Sequence, residues 1–194
     1  MPRTRTELNR DEKVAQVLEA GEQRLLAGGF EALSMVGIAR DLGVAQNAIY
    51  WYFPSRAELF VAVLRHILQG IAARKPRGEV GVVERALWWT DQFARIYELR
   101  PAMQEQARKS DVVAKFVDEL DGLLERMLTN AFRGRVPDRQ LPAAIDSFRA
   151  TVIGTYAQGL PRRRRREVLG FALDRFLSSR PSLQDAVRQA RASN

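Results

Sequence analysis

Ser34-Met35-Val36-Gly37-Ile38-Ala39-Arg40-Asp41-Leu42-Gly43-Val44-Ala45-Gln46-Asn47-Ala48-Ile49-Tyr50-Trp51-Tyr52-Phe53 is the stretch on which the reading of the chain turns. It holds two short segments with helical apolar spacing, separated at Gly43. Ser34 is a good N-cap for the first, because its hydroxyl can accept from an amide about one turn on. Gly43 can make the turn at positive φ without the clash a Cβ would bring. Ala39 is small enough to admit the second segment closely. Ile38, Leu42, Val44, Ile49 and Tyr52 then form a small core. Two short helices locked this way across a tight turn make a helix-turn-helix, whose second helix suits the major groove of DNA.

If the second helix is the reader, Gln46, Asn47, Tyr50 and Trp51 project from its exposed face. Gln and Asn can pair bidentately with adenine edges, Ala48 can meet a thymine methyl, and the aromatic groups reach phosphates. Ser34 and Arg56, each at a helix start, are placed to hold the DNA backbone on either side. Arg3 and Arg5 form a basic arm ahead of the first helix. The plainer reading of this face is a polar surface whose aromatics merely pack. Tyr52 and Phe53 belong to the core on either reading.

Working outward, the periodicity predicts a helix over roughly 11–27, stopped at Gly28-Gly29. Pro54-Ser55-Arg56-Ala57-Glu58 forms a capping box that opens a long helix to about Arg74. Lys75-Pro76-Arg77-Gly78 is a break and a plausible hinge. Further helices are predicted near 80–98, 101–109, 111–132, 141–159, 164–179 and 182–191. The expected fold is all-α. A three-helix helix-turn-helix DNA-binding domain occupies 1–54, a connecting helix 55–75, and a helical domain 76–194.

Composition fits this reading. The 194 residues are 46% hydrophobic and carry a net charge of +8, but residues 1–75 hold only 10 Lys and Arg against 8 Asp and Glu. Most of the excess lies elsewhere, so bulk charge favours polyanions without locating a site. No apolar run approaches the ~18 residues of a membrane span, and the polar N-terminus lacks a secretion signal. A cytoplasmic protein with no membrane partner is expected. With no cysteine, thiolate metal sites and disulfides are excluded. The single histidine, His66, reads as a packed helix residue, and Asp118, Glu119 and Asp121 as a solvated face. No constellation supports enzymatic chemistry, a metal or a cofactor.

The stretch Gly29-Phe30-Glu31-Ala32-Leu33-Ser34, with Ile38-Ala39, Leu42-Gly43-Val44, Ile49-Tyr50-Trp51-Tyr52-Phe53 and Pro54-Ser55-Arg56-Ala57-Glu58-Leu59-Phe60, resembles the DNA-binding domain of the tetracycline-repressor (TetR) family. The likeness covers roughly residues 10–64. Two positions depart from it: Ala45 stands where the family usually has a capping Ser or Thr, and Asn47 where it usually has Gly. The resemblance implies a homodimer on double-stranded operator DNA, with a C-terminal helical domain for ligand binding and dimerisation.

On that reading an unidentified small apolar or aromatic effector is expected among Trp88, Trp89, Phe93, Tyr97, Met103, Phe116, Leu120, Met127, Phe148 and Tyr156. An ordinary core is the competing account. The dimer seam is expected from Ile145, Phe148 and Val152 facing Val168, Phe171 and Phe176. The run Arg162 to Arg166 reads first as a solvated loop, with contacts to phosphate, an anionic effector or acidic residues across the seam as alternatives. The function expected is a transcriptional repressor released by its effector. Its rivals are an activator of the same build and a helical protein-interaction module without specific DNA binding.

Overall fold

The computed structural model describes residues 5–76 and 78–177, with side chains from Arg10 onward. Among the described residues the regular elements are α-helices and one short 3-10 turn. They are α1 (Arg5–Ala32), α2 (Met35–Asp41), α3 (Gln46–Tyr52), α4 (Arg56–Ala73), α5 (Val82–Gln92), α6 (Ala94–Ala107), α7 (Asp111–Phe132), α8 (Leu141–Ala157) and α9 (Arg162–Leu177). α1 breaks within its span at Gly28 and Gly29, where Gly29 has φ +68°, so the predicted glycine stop is a sharp kink followed by one more turn. The helix expected near 182–191 lies outside the described residues.

Three predicted boundaries need correction. The helix expected over 80–98 is interrupted at Phe93, whose N–H closes α5 on the Trp89 carbonyl at 2.9 Å. The Phe93 ring stacks on Trp89 at 5.4 Å and is 4% exposed; burying that ring accompanies the break. The break expected between the helices near 80–98 and 101–109 is absent, and α6 runs through Pro101. Pro101 lies on the exposed side, where water can take up the carbonyl that its missing N–H leaves. The arginine run is no loop, because α9 begins at Arg162.

The described chain forms two compact units. One runs to Lys75 and includes Arg95–Leu120; the other holds Pro76–Ala94 and the residues from Asp121 on. α7 is therefore shared, its first half belonging to one unit and its second half to the other.

In the first unit α1 packs against α4, and α2 against α3 and α1. α4 contributes Leu59, Phe60, Val63, Leu64, Ile67 and Ile71, all buried, and its spacing of three and four is what places them on one face. The Ser55 half of the predicted capping box is present, the Glu58 amide donating to Ser55 Oγ at 3.1 Å, while Glu58 Oε2 accepts from the Ser55 hydroxyl itself at 3.2 Å. The α1–α4 crossing depends on Gly21, where an added Cβ would sit 2.7 Å from Val63 Cγ2. Gly21→Val is accordingly expected to cost about 1–3 kcal/mol by overpacking. A thermal melt checks it, and an unchanged midpoint would show that the crossing has slack.

In the second unit α9 packs against both α8 and α5. Phe132, Phe148, Leu169 and Leu173 are buried. Two arginines of the run, Arg162 and Arg166, tie α9 to α5 through ion pairs. Asp91, whose side chain is 7% exposed, accepts from Arg162 at 2.9 Å and from Arg166 at 2.7 Å, and Arg166 also pairs with Glu84 at 3.0 Å. Hydrogen bonding to Asp91, more than to Glu84, raises the Arg166 guanidinium's pKa further. Arg165 turns the other way, over the Tyr156 ring at 4.5 Å, and the Tyr156 hydroxyl donates to the Thr90 carbonyl at 2.6 Å.

Candidate nucleic-acid interface

Ser34 caps α2 by accepting from the Gly37 amide at 3.2 Å. Ile38 and Ala39 are buried beneath it. The chain then turns at Gly43 with φ +63°, and the Val44 amide donates back to the Ala39 carbonyl at 3.0 Å. A residue with a Cβ at Gly43 would be strained in this left-handed region. Ala45 makes no side-chain cap on α3, so the Ala48 amide instead donates to the Ala45 carbonyl at 2.9 Å.

α3 is a seven-residue helix anchored through Ile49, which is 1% exposed. At roughly 100° per residue, Asn47 and Trp51 lie nearly opposite that anchor. Gln46, Asn47, Ala48, Tyr50 and Trp51 are all exposed, and Trp51 is 68% exposed. Tyr52 is half-buried and Phe53 buried. The face singled out from the sequence is thus open along its length. Arg5 has no described side chain, and Arg3 lies outside the described residues.

Two arginines brace the motif. Arg24 on α1 grips Asp41 at the end of α2 with two bonds, of 2.6 and 2.9 Å. That grip holds the Asp41 carboxyl below its ordinary range. The two residues are 17 apart, and opposite charges at that separation are too common in any sequence to have signalled the pair. Arg56 was expected at the DNA backbone. In this structure its guanidinium donates to the Leu33 carbonyl at 2.8 Å and to the Phe30 carbonyl, and lies 4.0 Å over the Phe30 ring. It thereby ties the start of α4 to the corner between α1 and α2.

A third arginine, Arg10, was not singled out from the sequence. Its guanidinium lies over the Trp51 ring at 5.2 Å, while the Tyr52 ring meets the same indole edge-on at 5.0 Å. Arg65 on α4 is engaged elsewhere, pairing with Glu119 at 2.5 Å and lying over Phe116.

The residues expected to line an effector pocket are divided between the two units. Tyr97, Met103, Phe116 and Leu120 fall in the first; Trp88, Trp89, Phe93, Met127, Phe148 and Tyr156 fall in the second. Within the second, Trp88 and Trp89 meet edge-to-face at 4.9 Å and Trp89 stacks on Phe93. Of the expected dimer residues, Ile145, Phe148 and Val152 are buried within the protomer itself. Val168 and Phe176 are half-buried, and Phe171 is 65% exposed.

A capped helix, a glycine turn and a short anchored helix with an open polar and aromatic face define a helix-turn-helix DNA-binding protein. The family model for bacterial regulatory proteins of the tetR family matches residues 17–63, which include that element. The chain is 25% identical over 174 residues to the HTH-type transcriptional regulator TtgR of Pseudomonas putida, covering 82% of this chain and 83% of that one. It is 27% identical over 133 residues to the HTH-type transcriptional repressor KstR of Rhodococcus jostii, covering 65% and 62%. Among solved structures, BioQ with its natural double-stranded DNA operator superposes with a TM-score of 0.56 at 25% identity, covering 85% of this chain and 98% of that one. Residues 17–63 match the DNA-binding domain of the tetR family of bacterial regulatory proteins, and the chain is a DNA-binding transcriptional regulator. No helix of the described residues is long and apolar enough to cross a membrane.

Proposed function

We propose that this regulator is a cytoplasmic homodimeric repressor, which occupies a palindromic operator through α3 and leaves it when a small apolar or aromatic effector binds. One observation carries the reading. The whole polar and aromatic face of α3 stands open to solvent while Ile49 roots the helix in the core. Gln46 and Asn47 have the donor and acceptor pattern for adenine edges. A two-fold dimer would set two such helices in grooves about 34–36 Å apart, or a multiple of that spacing.

The dimer seam proposed is the outer side of α8 and α9. Phe171 stands out from α9, and Ala143, Ser147, Ala150 and Ala157 leave the exposed side of α8 low enough for a second helix to approach. The effector reading draws its support from the α5 aromatics, with Trp88 and Trp89 both half-buried. Catalysis has no part in this account.

The test is affinity selection of genomic fragments at physiological salt, with wild type run beside Tyr50→Ala/Trp51→Ala. Wild type should recover one palindromic motif, and the variant should bind it about tenfold or more weakly. The same unstructured background from both proteins would remove the reading helix from the account.

A further inference from the structure

Most arginines around the helix-turn-helix are held by the protein. Arg24 is bound to Asp41, Arg56 to the carbonyls of Phe30 and Leu33, and Arg65 to Glu119. Arg10 differs. It is exposed, and among the described residues no carboxylate pairs with it. Its contact is the π face of Trp51, at 5.2 Å from the ring centroid, and a tryptophan face is the most attractive one for a cation. Trp51 is in turn the most exposed of the large apolar side chains described, at 68%. A wide indole left in water on a seven-residue helix would sample several rotamers. Here it is bracketed by the Tyr52 edge and the Arg10 cation.

We infer that Arg10 sets the operator affinity of the reading helix. Its guanidinium holds the Trp51 indole in its reading rotamer, and it carries a positive charge to a phosphate bordering the groove that α3 enters. Arg10 is a positioning residue for Trp51 and a backbone contact in its own right. This rests on α3 being the reading helix. The chemistry asks for an anion beside a stacked indole, which a duplex supplies at each groove edge. Because the two side chains act as one unit, their contributions to binding are coupled, although Arg10 and Trp51 lie on different helices 41 positions apart in the chain.

The experiment is a double-mutant cycle of Arg10→Ala and Trp51→Ala on the full chain. The probe is a fluorescein-labelled duplex of about 40 base pairs carrying the motif recovered by the genomic selection, long enough for two half-sites. Arg10→Ala is expected to weaken binding about tenfold in wild type and to lower the salt slope by about one. In the Trp51→Ala background the same change should cost about threefold or less. Equal losses in both backgrounds, or no loss in wild type, would overturn the inference while leaving α3 as reader. If no motif is recovered at all, the reading helix falls and this inference with it.

A second measurement needs no DNA. In the Trp88→Phe/Trp89→Phe protein, Trp51 emission reports the ring alone, and Arg10→Ala should increase its quenching by acrylamide. Unchanged quenching would show that the guanidinium does not hold the indole. Both side chains are exposed, so neither substitution threatens the fold, and equal thermal midpoints are the control.

Discussion

Phe60→Ala will remove about 3–5 kcal/mol from the DNA-binding unit, a large share of the 5–15 kcal/mol by which a typical domain is stable. Phe60 is 0% exposed on the face of α4 that packs on α1. Its ring meets Phe30 edge-to-face at 4.9 Å. Phe30 follows the Gly28-Gly29 kink, and its ring also carries the Arg56 guanidinium. Deleting the Phe60 ring therefore leaves a cavity under the corner from which α2 departs, and the Arg56 bonds to Phe30 and Leu33 lose their footing. The expected result is a large drop in the first thermal transition together with loss of operator binding. Phe60→Leu, which fills most of the volume, should retain both in large part. If Phe60→Ala melted within a degree or two of wild type and still bound operator, this corner would not be what supports the reading helix.

The second large effect separates two phenylalanines that the sequence placed in one dimer seam. Phe148 is 1% exposed, against Phe132 at 5.7 Å. Phe148→Asp buries an unpaired carboxylate, costs several kcal/mol, and should unfold the second unit before any question of assembly arises. Phe171 is 65% exposed, so Phe171→Asp should leave helicity and thermal midpoint near wild type. In the seam proposed above, the same change sets two carboxylates and two unfilled holes at the interface. Sedimentation should then show a folded monomer. A folded Phe171→Asp dimer would move the interface off α9. A folded, dimeric Phe148→Asp would contradict the core as described.

The two phenylalanines also show where a linear reading ends. Both recur at helical spacing among apolar neighbours, and nothing in the residue order says which of two apolar sides meets its own chain and which meets another. The arginine run makes the same point from charge. Five successive arginines read as a solvated loop, because Asp91 and Glu84, the partners of Arg162 and Arg166, lie more than 70 positions away. Only the packing of α9 on α5 brings the acids within bonding distance. Arg10 and Trp51 meet for the same reason, through the placement of α1 against the helix-turn-helix.

Local chemistry, by contrast, was legible. Ser34 and Ser55 bond amides within one turn, Gly43 supplies a left-handed turn, and Ile49 is the inward member of a seven-residue helix. Those features depend on neighbours a few residues away, so order along the chain determines them. Together they marked an all-helical DNA-binding regulator and the face with which it reads. What tertiary structure decided is the assignment of long-range partners: that Arg56 ties a corner, that Phe148 is core, that α5 ends at Phe93, and that Arg10 sits on Trp51. Those energies come from burial and ion pairing between segments whose separation in sequence carries no information about their distance in space.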